Sequence, residues 1–321
     1  MRANTILASV GFLLACVSPG WAWTIPSTGI TACYDMTGGI DCPSPGQAYY
    51  GQNGNYPGRT HAFQDGGDVV TDLITKLVWQ KTPDGALRSW DDAAAYCEGL
   101  ELDGQTGWRL PFQRELVTII DHAASKPALY PAFGGENGKY WSATPYLGYE
   151  GAAWYVNFAY GVSEFQGTQE TYITRCVRGQ ALAESSFTVT SNRVTDATTG
   201  LVWERTPSAA GMTWPEALAY CEAQTTDGFS DWRLPNVMEL RTIVDYTRFM
   251  PAIDTAVFEE TGEIHWTGST CANVPVVAWG VDFSTGFSAN NDKTSDGLHV
   301  RCVRGGEASL RPAATDLLLL Q

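Results

Sequence analysis

Positive charge is scarce in this chain. Its 321 residues carry 20 lysines and arginines against 35 aspartates and glutamates, a formal net charge of -15 at pH 7. An acidic surface repels polyanions, so the composition argues against nucleic acid as a partner. The four histidines are scattered without metal-ligand spacing, and the sequence has no nucleophile elbow and no phosphate-binding glycine loop. These absences leave little that points to catalysis.

The chain also lacks an apolar run of the roughly 20 residues that a transmembrane helix needs. A shorter run, residues 6–17, follows Arg2 and precedes a Ser-Pro-Gly break, which is the layout of a secretory signal. We therefore expect residues 1–22 to be a signal peptide and the protein to be secreted or held at the cell surface. Cys16 ends a Leu-Leu-Ala-Cys sequence that resembles a lipobox, so a lipoprotein anchored through Cys16 is the alternative to plain secretion.

One unit occurs twice in the sequence, which indicates tandem copies of a domain. The shared motifs are Val-Thr-Asp at 70–72 and 194–196, Leu-Val-Trp at 77–79 and 201–203, Ala-Tyr-Cys-Glu at 95–98 and 219–222, Trp-Arg-Leu-Pro at 108–111 and 232–235, and Arg-Cys-Val-Arg-Gly at 175–179 and 301–305. The predicted divisions are a Gly/Pro/Tyr-rich lead-in at 23–68, the first repeat at 69–179, a linker at 180–193, the second repeat at 194–305 and a tail at 306–321.

The repeat also limits how the cysteines pair. Two cysteines of each copy occupy matching positions, so each copy should bridge its own pair: Cys97 to Cys176, and Cys221 to Cys302. Cys33 and Cys42 are close together in the lead-in and are predicted to form a third disulfide, which an oxidising exterior permits. Cys271 has no counterpart in the first copy. We expect it to be a free cysteine and not a nucleophile, since no Cys-His arrangement surrounds it.

Each copy has the pattern of a short strand, two helices and then several strands. The first helix contains the Ala-Tyr-Cys sequence and begins, in the second copy, with a capping pattern of Thr213 and Glu216. The second helix follows Trp-Arg-Leu-Pro and has apolar residues at helical spacing, Leu116, Ile119 and Ile120 in the first copy. Strand-like pieces separated by Gly, Asn and Thr loops complete the unit. The pattern predicts an α+β fold for each domain.

Together these motifs resemble the bacterial DUF1566 domain, also called the Lcl C-terminal domain, in two tandem copies. The resemblance implies two tandem C-type lectin-like domains, each with two helices and a mostly antiparallel sheet, stapled by a disulfide from the first helix to the last strand. The member that names the family is a collagen-like adhesin whose C-terminal domain is implicated in binding glycosaminoglycans. This chain has no collagen repeat, and its negative charge argues against a sulfated ligand, so adhesion is the property that we carry over.

The aromatic and arginine residues that both copies share are expected to be structural. Tryptophan usually fills a core, and the arginines should pair with carboxylates such as Glu115 and Glu239. The residues of this structural signature are Trp108, Arg109, Trp232, Arg233, Arg175 and Arg301.

Residues that differ between the copies are better candidates for ligand binding. The loop at 144–152 lies where this fold class has a long variable loop, and its tyrosines suit stacking on sugars or contacts with proteins. Ordinary loop packing is the alternative interpretation. The candidate ligand-binding residues are Tyr146, Tyr149, Tyr155, Tyr160 and Glu164.

Calcium is the one cofactor that the sequence suggests, because the second copy has a stretch rich in the hard oxygen ligands that Ca²⁺ prefers. Its members are Asp282, Asn290, Asn291, Asp292 and Asp296. The spacing matches no EF-hand loop, and the tripeptides of calcium-dependent sugar-binding lectins are absent. A solvated polar loop is the alternative.

We predict an exported bacterial binding protein, adhesin-like, that recognises a glycan or a surface protein through its tandem modules. Two copies would give avidity to weak sites. The alternative is a structural or assembly component of the cell surface that binds partner proteins only. An enzyme related in fold to formylglycine-generating enzymes ranks third, since Cys271 is the one cysteine left for chemistry. The sequence does not indicate the oligomeric state.

Overall fold

The structure is a computed structural model that describes residues 24–135, 137–260 and 262–306. The predicted signal peptide at 1–22, the lipidation candidate Cys16 and residues 307–321 of the predicted tail lie outside these ranges. Within the described ranges, no helix is both long enough and apolar enough to cross a membrane.

The elements of the lead-in and the first repeat are short. In chain order they are β1 (Cys33–Tyr34), β2 (Gly39–Ile40), β3 (Phe63–Asp65), β4 (Val69–Asp72), β5 (Val78–Gln80), β6 (Leu87–Arg88), α1 (Trp90–Glu98), α2 (Gln113–Leu116), β7 (Lys139–Pro145), β8 (Ala152–Asn157), β9 (Val162–Gly167), β10 (Tyr172–Ile173) and β11 (Val177–Arg178). The hydroxyl of Ser89 accepts the N–H of Asp92 and so caps α1. A 3₁₀ turn, Val117–Ile119, continues α2.

The second repeat follows the same order, except that isolated bridges, Met212 with Leu298 and His265 with His299, stand in place of β6 and β10. Its elements are β12 (Phe187–Val189), β13 (Arg193–Asp196), β14 (Leu201–Glu204), α3 (Trp214–Glu222), α4 (Val237–Arg241), β15 (Ile264–Thr270), β16 (Val277–Asp282), β17 (Ser288–Asp292) and β18 (Val303–Gly305). Glu216 accepts the N–H of Thr213 at 2.9 Å at the start of α3, as the capping pattern predicts. Two further 3₁₀ turns are Asn53–Asn55 and Thr226–Gly228.

The two repeats share one sheet. Its strand order is β15-β16-β17-β9-β8-β7-β10-β6, so three equivalent strands from each repeat meet edge to edge. The meeting strands, β9 and β17, are antiparallel and pair at Ser163 and Ser288. Because β9 and β17 are the same strand in the two copies, a local two-fold axis passes through this pair. The pairing also removes the open edge that each three-stranded unit would otherwise expose.

Each repeat adds a smaller antiparallel sheet, with strand order β11-β5-β4-β3 in the first and β12-β13-β14-β18 in the second. In both, the strand after the last staple cysteine pairs with the Leu-Val-Trp strand. The tryptophans of those strands, Trp79 and Trp203, are fully buried. Burying a tryptophan removes about 200 Å² from water, which contributes roughly 5 kcal/mol each.

The prediction of an α+β, C-type lectin-like fold was wrong. The structure is mostly β and 13% helical, with its strands in several sheets. The second predicted helix accounts for much of the error: Leu116, Ile119 and Ile120 are buried as expected, but α2 ends at Leu116 and the chain is extended again at Ile120. One turn of helix is enough to place these side chains in the core, so a longer helix is not needed.

The three predicted disulfides are present, as Cys33–Cys42, Cys97–Cys176 and Cys221–Cys302. The two long-range bonds join α1 and α3 to the residues just before β11 and β18. They close loops of 79 and 81 residues. Loops of this length correspond to about 4 kcal/mol of stabilisation each in the chain-entropy model.

The lead-in packs against the second repeat. The carboxamide oxygen of Asn53 accepts a hydrogen bond of 2.8 Å from the hydroxyl of Ser269 on β15. The hydroxyl of Tyr56 donates to Glu222 on α3 at 2.8 Å. The segment predicted as a Gly/Pro/Tyr-rich lead-in therefore covers one side of the second repeat.

Candidate functional site

The shared signature residues are built into the fold. Both tryptophans of the Trp-Arg-Leu-Pro motif are buried: Trp108 and Trp232. Arg109 donates two hydrogen bonds of 2.6 Å to Glu115, and Arg233 donates bonds of 2.7 and 2.6 Å to Glu239. Such bidentate pairs fix the loop that precedes each second helix. The pairing of these arginines with carboxylates was correctly predicted.

Arg175 and Arg301 connect the end of each repeat to its beginning. Both are fully buried, and both donate to backbone carbonyls. Arg175 donates to Gln80 and Lys81 at 2.7 and 2.6 Å, and Arg301 donates to Glu204 at 2.8 Å. Burial lowers the pKa of Arg175 to about 10, which still leaves it charged at neutral pH. The guanidinium groups of these two arginines therefore donate to backbone carbonyls within the core.

The five candidate calcium ligands do not come together. Asp282 and Asp292 lie at opposite ends of the β16–β17 hairpin, and each accepts the backbone N–H two residues later, at 2.7 and 2.9 Å. Asn290 and Asn291 lie on β17, and Asp296 is in the loop that follows. The described ranges contain no group of three or more His, Cys, Asp or Glu side chains placed to hold a metal. The two hairpin carboxylates cap turns instead.

The tyrosines of the variable loop do not form a platform. Tyr146 is 7% exposed, which corrects the expectation of an exposed ring. Its ring contacts Phe249 and Phe287 of the second repeat, each at 5.7 Å between centroids. Tyr149 and Tyr160 are exposed, but they lie on different loops. Contact between the repeats therefore buries Tyr146, and the other two tyrosines lie on separate loops of the first repeat.

Tyr155 and Glu164, in contrast, are brought together on paired strands of the first repeat. The hydroxyl of Tyr155 donates to the Glu164 carboxylate at 2.5 Å. The ring of Tyr172 lies 4.8 Å from the ring of Tyr155, and the ammonium of Lys139 lies 5.0 and 5.1 Å from these two rings. We call Lys139, Tyr155, Glu164 and Tyr172 the tyrosine face.

The tyrosine face offers a ligand the half-buried ring of Tyr172, a cation and an acceptor, whereas Tyr155 is 4% exposed and contacts Tyr172 and Glu164 without presenting a surface of its own. Burial, and then the hydrogen bond to Glu164, raises the pKa of Tyr155, so its phenol stays protonated and donates. Glu164 is exposed and keeps lone pairs for other donors, while Lys139 and Tyr172 are half-buried. The arrangement can stack on an apolar face of a ligand and hydrogen-bond to hydroxyls around it.

The second repeat lacks this face. Its equivalent residues are Ile264, Gly280, Ala289 and Leu298. On the same side of the sheet, Trp141 keeps its counterpart Trp266, and both are fully buried. The strands β15, β16 and β17 therefore form without the residues that β7, β8 and β9 contribute to the tyrosine face, so folding does not require those residues.

Sequence reasoning missed Lys139 and Tyr172. Tyr172 reaches Tyr155 because β10 runs parallel to β7, and Lys139 joins them from the start of β7. An alignment of the two copies contained the signal. At these positions the first copy has polar or aromatic residues and the second has aliphatic or small ones.

A cleft of about 450 Å³ lies between the lead-in and the second repeat. Its lining includes Ile25, Pro57 and Glu239, and none of the described residues that line it is aromatic. At the equivalent place in the first repeat, Leu182 of the linker donates its N–H to Glu115 at 3.4 Å. The cleft is therefore present because the chain takes a different path beside each repeat. Its described lining has no aromatic ring on which a ligand could stack.

Cys271 is buried, and its Sγ lies 3.0 Å from the side-chain oxygen of Asn273. Burial raises the pKa of this thiol, which keeps it protonated at neutral pH. A buried, protonated thiol is a poor nucleophile.

The fold defines a tandem-repeat β protein in which each repeat is closed by a disulfide. The model of the Lcl C-terminal domain matches residues 68–178 and 192–304. These two matches cover most of the chain, so the protein belongs to the Lcl C-terminal domain family, in two tandem copies. No curated protein matches it.

Proposed function

We propose that the protein is an exported binding protein of adhesin-like character that recognises a glycan through the tyrosine face. One observation carries the proposal: the second repeat has aliphatic or small residues at the positions equivalent to Lys139, Tyr155, Glu164 and Tyr172. A feature that one copy has and the other folds without is free to serve binding. The shared residues cannot be read in this way, since they hold both copies together.

The chemistry of the tyrosine face suits a neutral sugar. A sugar ring presents an apolar face of C–H groups and a rim of hydroxyls, and Tyr172 offers a ring for the first. Lys139 donates and Glu164 accepts hydrogen bonds, which suits the second. The net charge of -15 disfavours a sulfated ligand.

Export is supported by the three disulfides, because such bonds persist in oxidising compartments. It is also supported by the signal-like order of Arg2, an apolar run and small residues. Secretion and attachment through a lipidated Cys16 differ in the mass of the mature N-terminal peptide, which distinguishes them.

A second function, as a structural or assembly component that binds proteins, is favoured by a different observation. Equivalent loops of the two repeats both expose apolar side chains. Leu147 and Tyr149 are 53% and 63% exposed in the first, and Val274 and Val276 are 41% and 44% exposed in the second. Exposed apolar groups of this kind are typical of protein contacts.

A glycan array probed with residues 23–321, with calcium and with chelator, tests the proposal. We expect binding to neutral sugars that survives the chelator. Lys139→Ile and Glu164→Ala, which install the residues of the second repeat, should each weaken binding about tenfold, because each removes a charged hydrogen-bonding group. Ile264→Ala, the matched change in the second repeat, should leave binding unchanged.

Absence of glycan binding by the unmodified protein would reject the proposal, as would an equal loss of binding in Ile264→Ala. Binding to a protein partner that is lost in Tyr149→Ser and kept in Lys139→Ile would instead support the second function.

A further inference from the structure

The cleft between the lead-in and the second repeat is a place that the first repeat fills with its own chain. The cleft measures about 450 Å³, and Leu201 and Glu239 form part of its wall. Their counterparts in the first repeat are Leu77 and Glu115. There, Leu182 packs against the core that contains Leu77 and donates its N–H to Glu115 at 3.4 Å. The cleft therefore lies where the first repeat places an aliphatic side chain and a backbone N–H.

The cleft is open because the lead-in has a glycine where the linker has Leu182. Both segments run into matching strands. Gly58 lies five residues before Phe63, the first residue of β3, and Leu182 lies five residues before Phe187, the first residue of β12. Gly58 lines the cleft, but it has no side chain to fill it.

Two features of the cleft define what fits it. Glu239 accepts hydrogen bonds from Arg233 and from the N–H of Asn236, as its counterpart does from the equivalent groups. The further N–H that the linker gives to that counterpart has no equivalent at Glu239 within the described ranges. Beside this carboxylate, Ile25 and Leu201 supply apolar wall. An extended segment with a free backbone N–H and an aliphatic side chain matches both features.

We propose that residues 307–310 of this chain bind in the cleft, with a backbone N–H donated to Glu239 and the side chain of Leu310 against Ile25 and Leu201. The chain is already at the cleft, since Gly306, the last residue of the described ranges, lines it.

The lengths and the sequence agree with this occupant. In the first repeat only three residues separate Gly179, at the end of the repeat, from Leu182. After Gly306, Leu310 is the first large apolar residue. An extended chain advances about 3.3 Å per residue, so Leu310 lies within roughly 13 Å of Gly306. Because the lead-in and the second repeat both line the cleft, the bound segment stabilises the contact between them.

The test compares thermal unfolding of residues 23–321 with that of two shortened chains. A chain that ends at Gly306 lacks the proposed segment and should unfold about 2 °C lower. A chain that ends at Ala314 keeps the segment and should unfold with the full chain. Within the full chain, Leu310→Ser should lower the midpoint as the shorter chain does. Leu319→Ser is the matched control outside the segment and should leave the midpoint unchanged.

Methyl NMR of the full chain decides the question independently of any variant. We expect nuclear Overhauser contacts from the methyl groups of Leu310 to those of Ile25 or Leu201. Methyl resonances of Leu310 at the positions of an unfolded chain, without these contacts, would overturn the proposal. Equal midpoints for the chains that end at Gly306 and at Ala314 would also overturn it.

Discussion

The two repeats differ most in what covers them. Arg109 and Arg233 form the same bidentate pair, yet the side chain of Arg109 is 27% exposed and that of Arg233 is 3% exposed. The ring of Tyr56, from the lead-in, lies over the guanidinium of Arg233. The guanidinium of Arg109 is instead covered by Phe112, three residues further along the same loop. Residues that both copies share therefore serve the fold, and binding is better sought on the side of the first repeat whose equivalent in the second repeat the lead-in covers.

Removal of a long-range disulfide should have the largest effect and should be the same in both repeats. The pair Cys97→Ala with Cys176→Ala, and the pair Cys221→Ala with Cys302→Ala, should each lower the free energy of unfolding by about 4 kcal/mol. Guanidinium denaturation measures this. A much smaller loss in the second repeat would mean that the lead-in, and not the disulfide, keeps that repeat closed.

Substitution of the paired arginines should lower the free energy of unfolding more in the second repeat than in the first. Arg233→Met leaves Glu239 buried without its partner and should cost about 3 kcal/mol in the free energy of unfolding. Arg109→Met should cost less, about 2 kcal/mol, because Arg109 is 27% exposed and its removal lets water reach Glu115, which is 1% exposed in the intact pair. Equal losses in denaturant titrations would show that the lead-in does not seal the second pair.

Acid should destabilise the second repeat through His265, whose counterpart in the first repeat is Tyr140. Burial lowers the pKa of His265 to about 4. The unfolded chain therefore takes up the proton first, and stability that is complete above pH 6.5 is lost as the pH falls towards 4. The loss should reach roughly 2 kcal/mol by pH 5. His265→Tyr should reduce this loss in denaturation curves at pH 7 and pH 5, and an unchanged loss would assign it to other groups.

The smallest difference concerns two equivalent hydroxyls. Ser269 accepts the N–H of Val237 and also donates to Asn53, whereas Thr144 accepts the N–H of Gln113. Ser269→Ala should therefore destabilise the protein by about 1 kcal/mol more than Thr144→Ala. Hydrogen exchange of residues 50–56 should rise in the first variant alone. A rise in both variants would show that the hydrogen bond from Ser269 is not what holds the lead-in.

Pairs of residues within one repeat could be predicted because both members of each pair recur at matching positions in the other repeat. The bond between Cys97 and Cys176, and the pair of Arg109 with Glu115, each lie within one unit that occurs twice. The shared sheet could not be predicted, because pairing at Ser163 depends on two strand edges that carry no local pattern. The second helix was overestimated because one helical turn has the same apolar spacing as the start of a long helix.

The candidate site was predicted in part. Tyr155 and Glu164 were among the candidates, and their opposition across two strands follows from the hairpin. Tyr172 joins them through a parallel contact between distant segments, which periodicity does not show. Tyr146 was misjudged because the rings that bury it belong to the other repeat.

Hydroxyl-radical footprinting of the native protein would test most directly whether the lead-in covers α3 of the second repeat and leaves the equivalent α1 of the first repeat uncovered. Trp90 and Trp214 are equivalent reporters. Trp214 is fully buried and lies 6.4 Å from Tyr49 of the lead-in, ring to ring, whereas Trp90 is half-buried. We predict that Trp90 is oxidised severalfold faster than Trp214. Equal oxidation of the two rings would contradict the asymmetry on which the proposed binding surface rests.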